Sequence, residues 1–185
     1  MTGVSPNQQI TAMLESGAIT ATAPVAPGQI QPASLDLRLG NVAYRVRASF
    51  LAGPERTVRD RMADFTMHEI DLTKGAVLEV GCVYVVPLQE RLALPRDVSA
   101  VANAKSSTGR LDLFTRLITD QGTEFDRIPD GYTGPLYAEI CPRSFSVLVR
   151  PGMRLNQIRF RRGQSILTDE WLRVLHDDTG LVDGD

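Results

Sequence analysis

From Leu35 to Leu39 the apolar residues fall on every second position, with Asp36 and Arg38 between them. That period predicts a half-buried strand with one apolar face. Val42 to Val46 repeats it. Short runs rich in Val, Ile and Leu follow at Val77 to Val80, Cys82 to Leu88, Val98 to Val101, Leu113 to Leu117, Leu136 to Ile140, Ser146 to Val149 and Met153 to Phe160. Glycine and proline turns separate most of them and no helical pattern intervenes, which predicts a sandwich or barrel. Helical spacing is confined to the two ends. Ser5, Pro6 and Gln8 read as a capping-box start, Ile10, Met13 and Leu14 as the apolar face, and Gly17 as the stop. Near the other end Thr168 reads as a cap, Asp169 and Glu170 favour the positive helix end, and Trp171, Leu172, Val174 and Leu175 form an apolar side. Residues 21–33 and 52–75 read as irregular, and His176 to Asp185 as a linker-like tail. The expected organisation is one domain over 1–175 and a tail over 176–185.

Composition narrows the class. The 185 residues are 43% hydrophobic and only 6% aromatic, so the core is aliphatic. A chain of this length buries about 70% of its unfolded surface and needs no covalent staple. The net charge of -2 argues against a nucleic-acid polymer as partner and confines any anion site to a local cluster. Arg150, Arg154, Arg159, Arg161 and Arg162 form one concentration, readable as such a cluster or as a solvated strand face. Two cysteines, Cys82 and Cys141, make no disulfide framework and suggest a reducing compartment. The first residues lack a signal-peptide pattern and no apolar stretch reaches membrane-spanning length. The expectation is a cytoplasmic protein without membrane contact.

Several chemistries are excluded by spacing. Zinc-dependent nucleobase deaminases need H-x-E with P-C-x-x-C, and His68, His176, Cys82 and Cys141 do not provide it. G-x-S-x-G, Walker and G-x-G-x-x-G patterns are absent. The segment Lys105-Ser106-Ser107-Thr108-Gly109-Arg110 is more informative. It reads either as a cradle for phosphate oxygens or as a polar turn capping a short helix. A second segment, Phe125 to Gly134, makes a tight turn into Leu136 to Ile140. There Glu139 shares a strand face with Tyr137, and is either solvated or placed as a general base in a desolvated cleft. A third, Pro151-Gly152 into Met153 to Phe160, reads as an alternating strand.

Taken in order, Ser34 to Gly40, Lys105 to Arg110, Gly131-Tyr132-Thr133-Gly134 through Glu139, and Gly152 to Phe160 resemble the motifs of the dCTP deaminase and dUTPase superfamily. The resemblance spans roughly residues 30 to 160 and is nearest to the N-terminal half of double-length bacterial dCTP deaminases. It implies a mainly β, distorted β-barrel or jelly-roll fold of dUTPase-like type with short N- and C-terminal helices, assembled as a trimer with sites between subunits. It implies a phosphate loop at Ser106, Ser107 and Arg110, with Lys105 where single-domain relatives usually carry Arg. Glu139 matches the catalytic Glu that activates water without zinc. Asp130, Tyr132 and Gln157 match substrate-binding positions, and Asp36 the early Asp-Leu motif. Mg²⁺ is expected only with the triphosphate.

The departures are specific. The turn reads Pro129-Asp130-Gly131 where the family usually has Asp-Pro-Gly, and the hairpin from Thr119 to Arg127 is longer and more acidic. The closing C-terminal arm of the family, rich in Tyr, Gly and Gln, is not found before Asp185. The expected activity is hydrolytic deamination of dCTP to dUTP and ammonia. The alternatives are dUTP pyrophosphatase, with Asp126 or Asp130 as base, and a non-catalytic half-domain that lends its phosphate loop to a composite site. Expected partners are dCTP, or dUTP and dTTP, and a second copy or domain that completes the site.

Overall fold

The computed structural model describes residues 2–163 and 167–182. The chain begins with β1 (Gly3–Val4), α1 (Asn7–Glu15), β2 (Ile19–Ala21), β3 (Ile30–Gln31), β4 (Ser34–Arg38) and β5 (Val42–Val46). It continues with α2 (Val58–Phe65), β6 (Thr66–Asp71), β7 (Ala76–Leu78), β8 (Val83–Ala93) and β9 (Val98–Ala104). Then come α3 (Ser106–Arg110), β10 (Leu113–Thr119), β11 (Arg127–Ile128), β12 (Thr133–Pro142), β13 (Val147–Val149), β14 (Arg154–Arg162) and α4 (Asp169–Thr179). One six-stranded sheet runs β11-β9-β14-β4-β3 with β1 on β14; the other runs β10-β12-β8-β5-β6 with β2 on β8. β7 and β13 form a separate pair. The mainly β class holds, with the sheets left open rather than closed into a barrel.

Mostly aliphatic side chains from both sheets meet in one core, joined by Tyr84 and Phe160. Leu35, Leu37, Ile158 and Phe160 come from the first sheet; Tyr84, Val86, Leu117, Ala138 and Ile140 come from the second. Gly40 permits a close crossing, because a Cβ there would lie 2.6 Å from the Pro87 carbonyl oxygen. β4 is buried along its whole length rather than on one face. Its second face is covered by the 23–29 segment, where Arg38 donates to the Ala23 and Pro24 carbonyls and Gln29 to the Asp36 carbonyl. Arg38 also donates from Nε to Oε1 of the fully buried Glu90 on β8, at 2.7 Å, which ties the two sheets together.

The region 52–75 differs most from its irregular reading. It contains α2, started by a capping box in which Thr57 and Asp60 exchange side-chain and backbone bonds. Val58 N also donates to Asp120 Oδ1 at 2.8 Å, so one acid of the long 119–127 hairpin completes the helix start. Val58 and Met62 from α2 cover Val85, Ile118 and Tyr137 on the outer face of the second sheet. At the first helix, Pro6 is the cap and the Ser5 side chain makes no capping bond. Ser5 N instead donates to Phe160 O, which draws the residue into the sheet edge. α4 is capped by Thr168 as its sequence predicts, and it continues to Thr179 into the segment read as a linker. Of that tail, Asp183, Gly184 and Asp185 lie outside the described residues.

Candidate active site

The one-turn helix α3 sits at the end of β9, and its flanks differ in chemistry. Lys105 takes the cap position with extended backbone, while Ser106, Ser107 and Arg110 are exposed. The Lys105 to Arg110 segment is thus a short helix without a side-chain cap, with Ser106, Ser107 and Arg110 facing outward and Thr108 buried. Arg110 makes only long contacts, 3.4 and 3.5 Å, to Ser106. Lys105 is already engaged, because its Nζ bonds to Oδ2 of the buried Asp36. Arg154 lies 3.7 Å from the same oxygen, and Asp36 Oδ1 has no partner.

On one flank, Lys105 and Ser106 line a cavity of about 370 Å³ with Gln31, Asn103, Ala104 and Gln157. The β ladders set this up: Gln157 lies opposite Asn103 on β9 and Asp36 on β4. Gln157 Oε1 accepts from Ser34 Oγ at 3.2 Å. On the other flank, Gly109 and Ala104 share the wall of a cavity of about 630 Å³ with Leu113, Phe114, Arg116, Asp126 and Arg143.

Glu139 stands behind that second cavity. It lies on β12 directly opposite Arg116 on β10, on the sheet face shared with Tyr137. The solvated reading fails, because Glu139 is 1% exposed. Arg116 Nη2 and Nε donate to Glu139 Oε1 at 2.6 and 3.1 Å, and Oε2 has no partner. Nearby Asp126 has a positive φ of 61°, a conformation that Asp tolerates better than most residues. Its Oδ1 accepts from Leu117 N at 2.7 Å, and its carbonyl accepts from Ala102 N at 2.8 Å. Burial lifts the Asp126 carboxyl above the ordinary carboxylate range; the Leu117 N–H and the Arg116 charge oppose this, and Glu139 adds to it.

Two other expected binding residues lie elsewhere. Tyr132 is buried, with its hydroxyl donating to Pro135 O at 2.6 Å and accepting from Asp120 N at 3.2 Å. This phenol is structural, because both hydrogen-bonding roles are spent on the hairpin. Asp130 is exposed in the turn whose Gly131 N donates to Val98 O, at the start of β9. α3 follows the end of β9, and seven residues at about 3.3 Å each separate the two by roughly 20 Å. The arginine concentration also disperses. Arg154 turns to Asp36 and the Pro27 and Gly28 carbonyls, and Arg162 pairs with Asp97 at 2.6 Å. Sequence reading missed Arg116, Phe125 and Phe114 around Glu139; the Arg116–Glu139 register across two strands has no local signal. Among the described residues no three His, Cys, Asp or Glu side chains converge as a metal site, and no helix is long and apolar enough to cross a membrane.

A family model described as the 2'-deoxycytidine 5'-triphosphate deaminase N-terminal domain matches residues 1–164. The dCTP deaminase of Haloarcula marismortui is 29% identical over 135 residues, covering 71% of this chain and 66% of that protein. The dUMP-forming dCTP deaminase of Beutenbergia cavernae is 28% identical over 157 residues, covering 84% and 78%. The solved 2'-deoxycytidine 5'-triphosphate deaminase from Agrobacterium tumefaciens is 54% identical with a TM-score of 0.90, and the match covers all of this chain. The chain spans 55% of that solved protein, about half its length.

Proposed function

Because the chain belongs to the family of 2'-deoxycytidine 5'-triphosphate deaminase N-terminal domains, we propose that it serves the hydrolytic, zinc-independent deamination of dCTP to dUTP and ammonia. The observation that carries this reading is Glu139, a buried carboxylate with one oxygen tied to Arg116 and the other unpartnered. A desolvated base of this kind suits attack by water on C4 of cytosine. Glu139 Oε2 takes a proton as the water oxygen bonds to C4, the π pair of the C4–N3 double bond moves to N3, and Glu139 delivers that proton to N3. Glu139 then carries the proton of the new C4 hydroxyl to N4, the C4–N4 bond breaks, and ammonia leaves as the carbonyl forms.

Ser106, Ser107, Lys105 and Arg110 would hold the triphosphate, with Gln157 beside it. Their chemistry suits phosphate oxygens rather than a resident cation, so Mg²⁺ would enter as the companion of the triphosphate. Lys105, Ser106 and Gln157 face one cavity, while Glu139 is buried behind Arg116, which lines the other. This division favours a composite site, with the phosphate loop of one domain meeting the carboxylate of a second copy or domain, in a trimer or a comparable assembly in the cytoplasm. The same division supports a second reading, a non-catalytic half-domain that lends its loop to a partner.

Ammonia and pyrophosphate release from dCTP and dUTP by the purified protein test the reading. Ammonia should appear from dCTP, and E139Q should lower the rate by about 10²–10⁴-fold, the usual contribution of a general base. Pyrophosphate without ammonia would make the protein a dUTP pyrophosphatase. Full activity in E139Q would leave this chain the half-domain role.

A further inference from the structure

We propose that Arg116 is the positioning residue of Glu139: a guanidinium clamped by aromatic rings that fixes one carboxylate oxygen and leaves the other for proton transfer. This rests on the reading of Glu139 as the general base. An arginine–carboxylate pair commonly forms a fork in which each oxygen receives its own N–H. Here both Nη2 and Nε converge on Oε1. Oε2 is left buried without a partner, the one oxygen of the group with its lone pairs unspent.

The guanidinium is held from several sides. Its Nη2 also donates to Ser49 Oγ at 2.9 Å. Its centre lies 3.5 Å from the Phe125 ring centroid and 4.8 Å from that of Phe114. A planar cation over aromatic faces is attracted by their quadrupoles, most strongly where water is excluded. Asp126 lines the same cavity as Arg116, but Leu117 N holds its Oδ1. Asp112 and Arg143 line the same cavity as Arg116. Ser144 Oγ donates to the Asp112 side chain at 2.6 Å, and the Arg143 backbone N–H donates to the Asp112 carbonyl. Arg116 therefore faces Glu139 as its specific partner, with its plane set by Phe125.

Chemical rescue in the purified protein tests this. R116A removes the guanidinium and opens the slot between the rings. It should lower kcat for dCTP by about 10²-fold, the size of loss a misplaced catalytic group produces, with KM little changed. Millimolar guanidinium ion should restore much of that kcat, while equal sodium chloride should not. R116K should stay impaired, because an ammonium neither stacks flat on the ring nor delivers two N–H groups to one oxygen. F125L keeps the cation but removes its clamp, and should lower kcat several-fold at unchanged KM. It carries the test if R116A does not fold. Full kcat in R116A or F125L overturns the role, as does a folded R116A that ignores guanidinium. E139Q separates the two ideas: if it keeps full activity the base reading itself fails, whereas a dead E139Q beside an indifferent R116A sinks only the positioning role.

Discussion

Arg110 and Tyr132 are both polar residues within motif segments, yet their surroundings assign them opposite roles. Arg110 is exposed with only long contacts to Ser106, so its charge is available to a ligand. Hydrogen bonds to charged groups contribute about 1.5–3 kcal/mol, so R110A should weaken triphosphate binding by roughly 10- to 100-fold. Titration calorimetry checks this, and the unfolding midpoint should barely move, as expected for a surface substitution. Tyr132 has both capacities of its hydroxyl spent internally. Tyr132→Phe leaves a backbone donor and acceptor without that partner and should cost about 1–3 kcal/mol of stability in urea unfolding, with triphosphate affinity unchanged. Sequence alone ranked the two together, because a turn and a binding loop draw on the same residue types.

Two links between elements make the site possible. The first is the Arg38–Glu90 pair between β4 and β8, whose acid accepts from Arg38 Nε, Arg38 N and Gln29 Nε2. Removing one partner strands a buried charge, so Glu90→Ala should destabilise the fold by about 3–5 kcal/mol in urea unfolding. The second is α2, which covers the sheet face carrying Tyr137 and Glu139. Its Thr57 cap accepts from Asp60 N. Thr57→Ala should cost about 1 kcal/mol, with faster amide exchange across Val58–Phe65 than across the sheets. α2 was hard to read because its eight residues carry only two buried positions, too few for a helical period to emerge.

Across the whole molecule, buried and surface carboxylates push stability in opposite directions with pH. Burial raises the Asp126 carboxyl above its ordinary 3.8. A group that holds its proton more tightly when folded supports the fold below its unfolded pKa. That support is lost as pH rises through the folded value. Asp60 and Asp71 are held low by hydrogen bonds from Thr57 and Thr73 and act in the opposite sense. Urea midpoints at pH 4 and pH 7 should therefore show Asp126→Asn gaining stability relative to the unaltered protein as pH rises. An equal difference at both pH values would mean the Asp126 carboxyl is not raised.

Properties carried by short stretches of chain were legible in the order of residues. The alternation in Leu35 to Leu39, the Thr168 cap, the aliphatic strands and the motif around Lys105 to Arg110 each depend on neighbours within a few positions. That is why the β class could be read directly, while the motif by itself left two readings open. Register and coverage were decided by tertiary structure. It set Glu139 opposite Arg116 across 23 positions of chain, drew Asp36 to Lys105, sealed β4 on both faces, and gathered only Lys105, Ser106 and Gln157 of the expected site residues around one cavity. Burial and ion pairing depend on which distant segments meet. One sequence position looks the same whether its strand face meets water or another element.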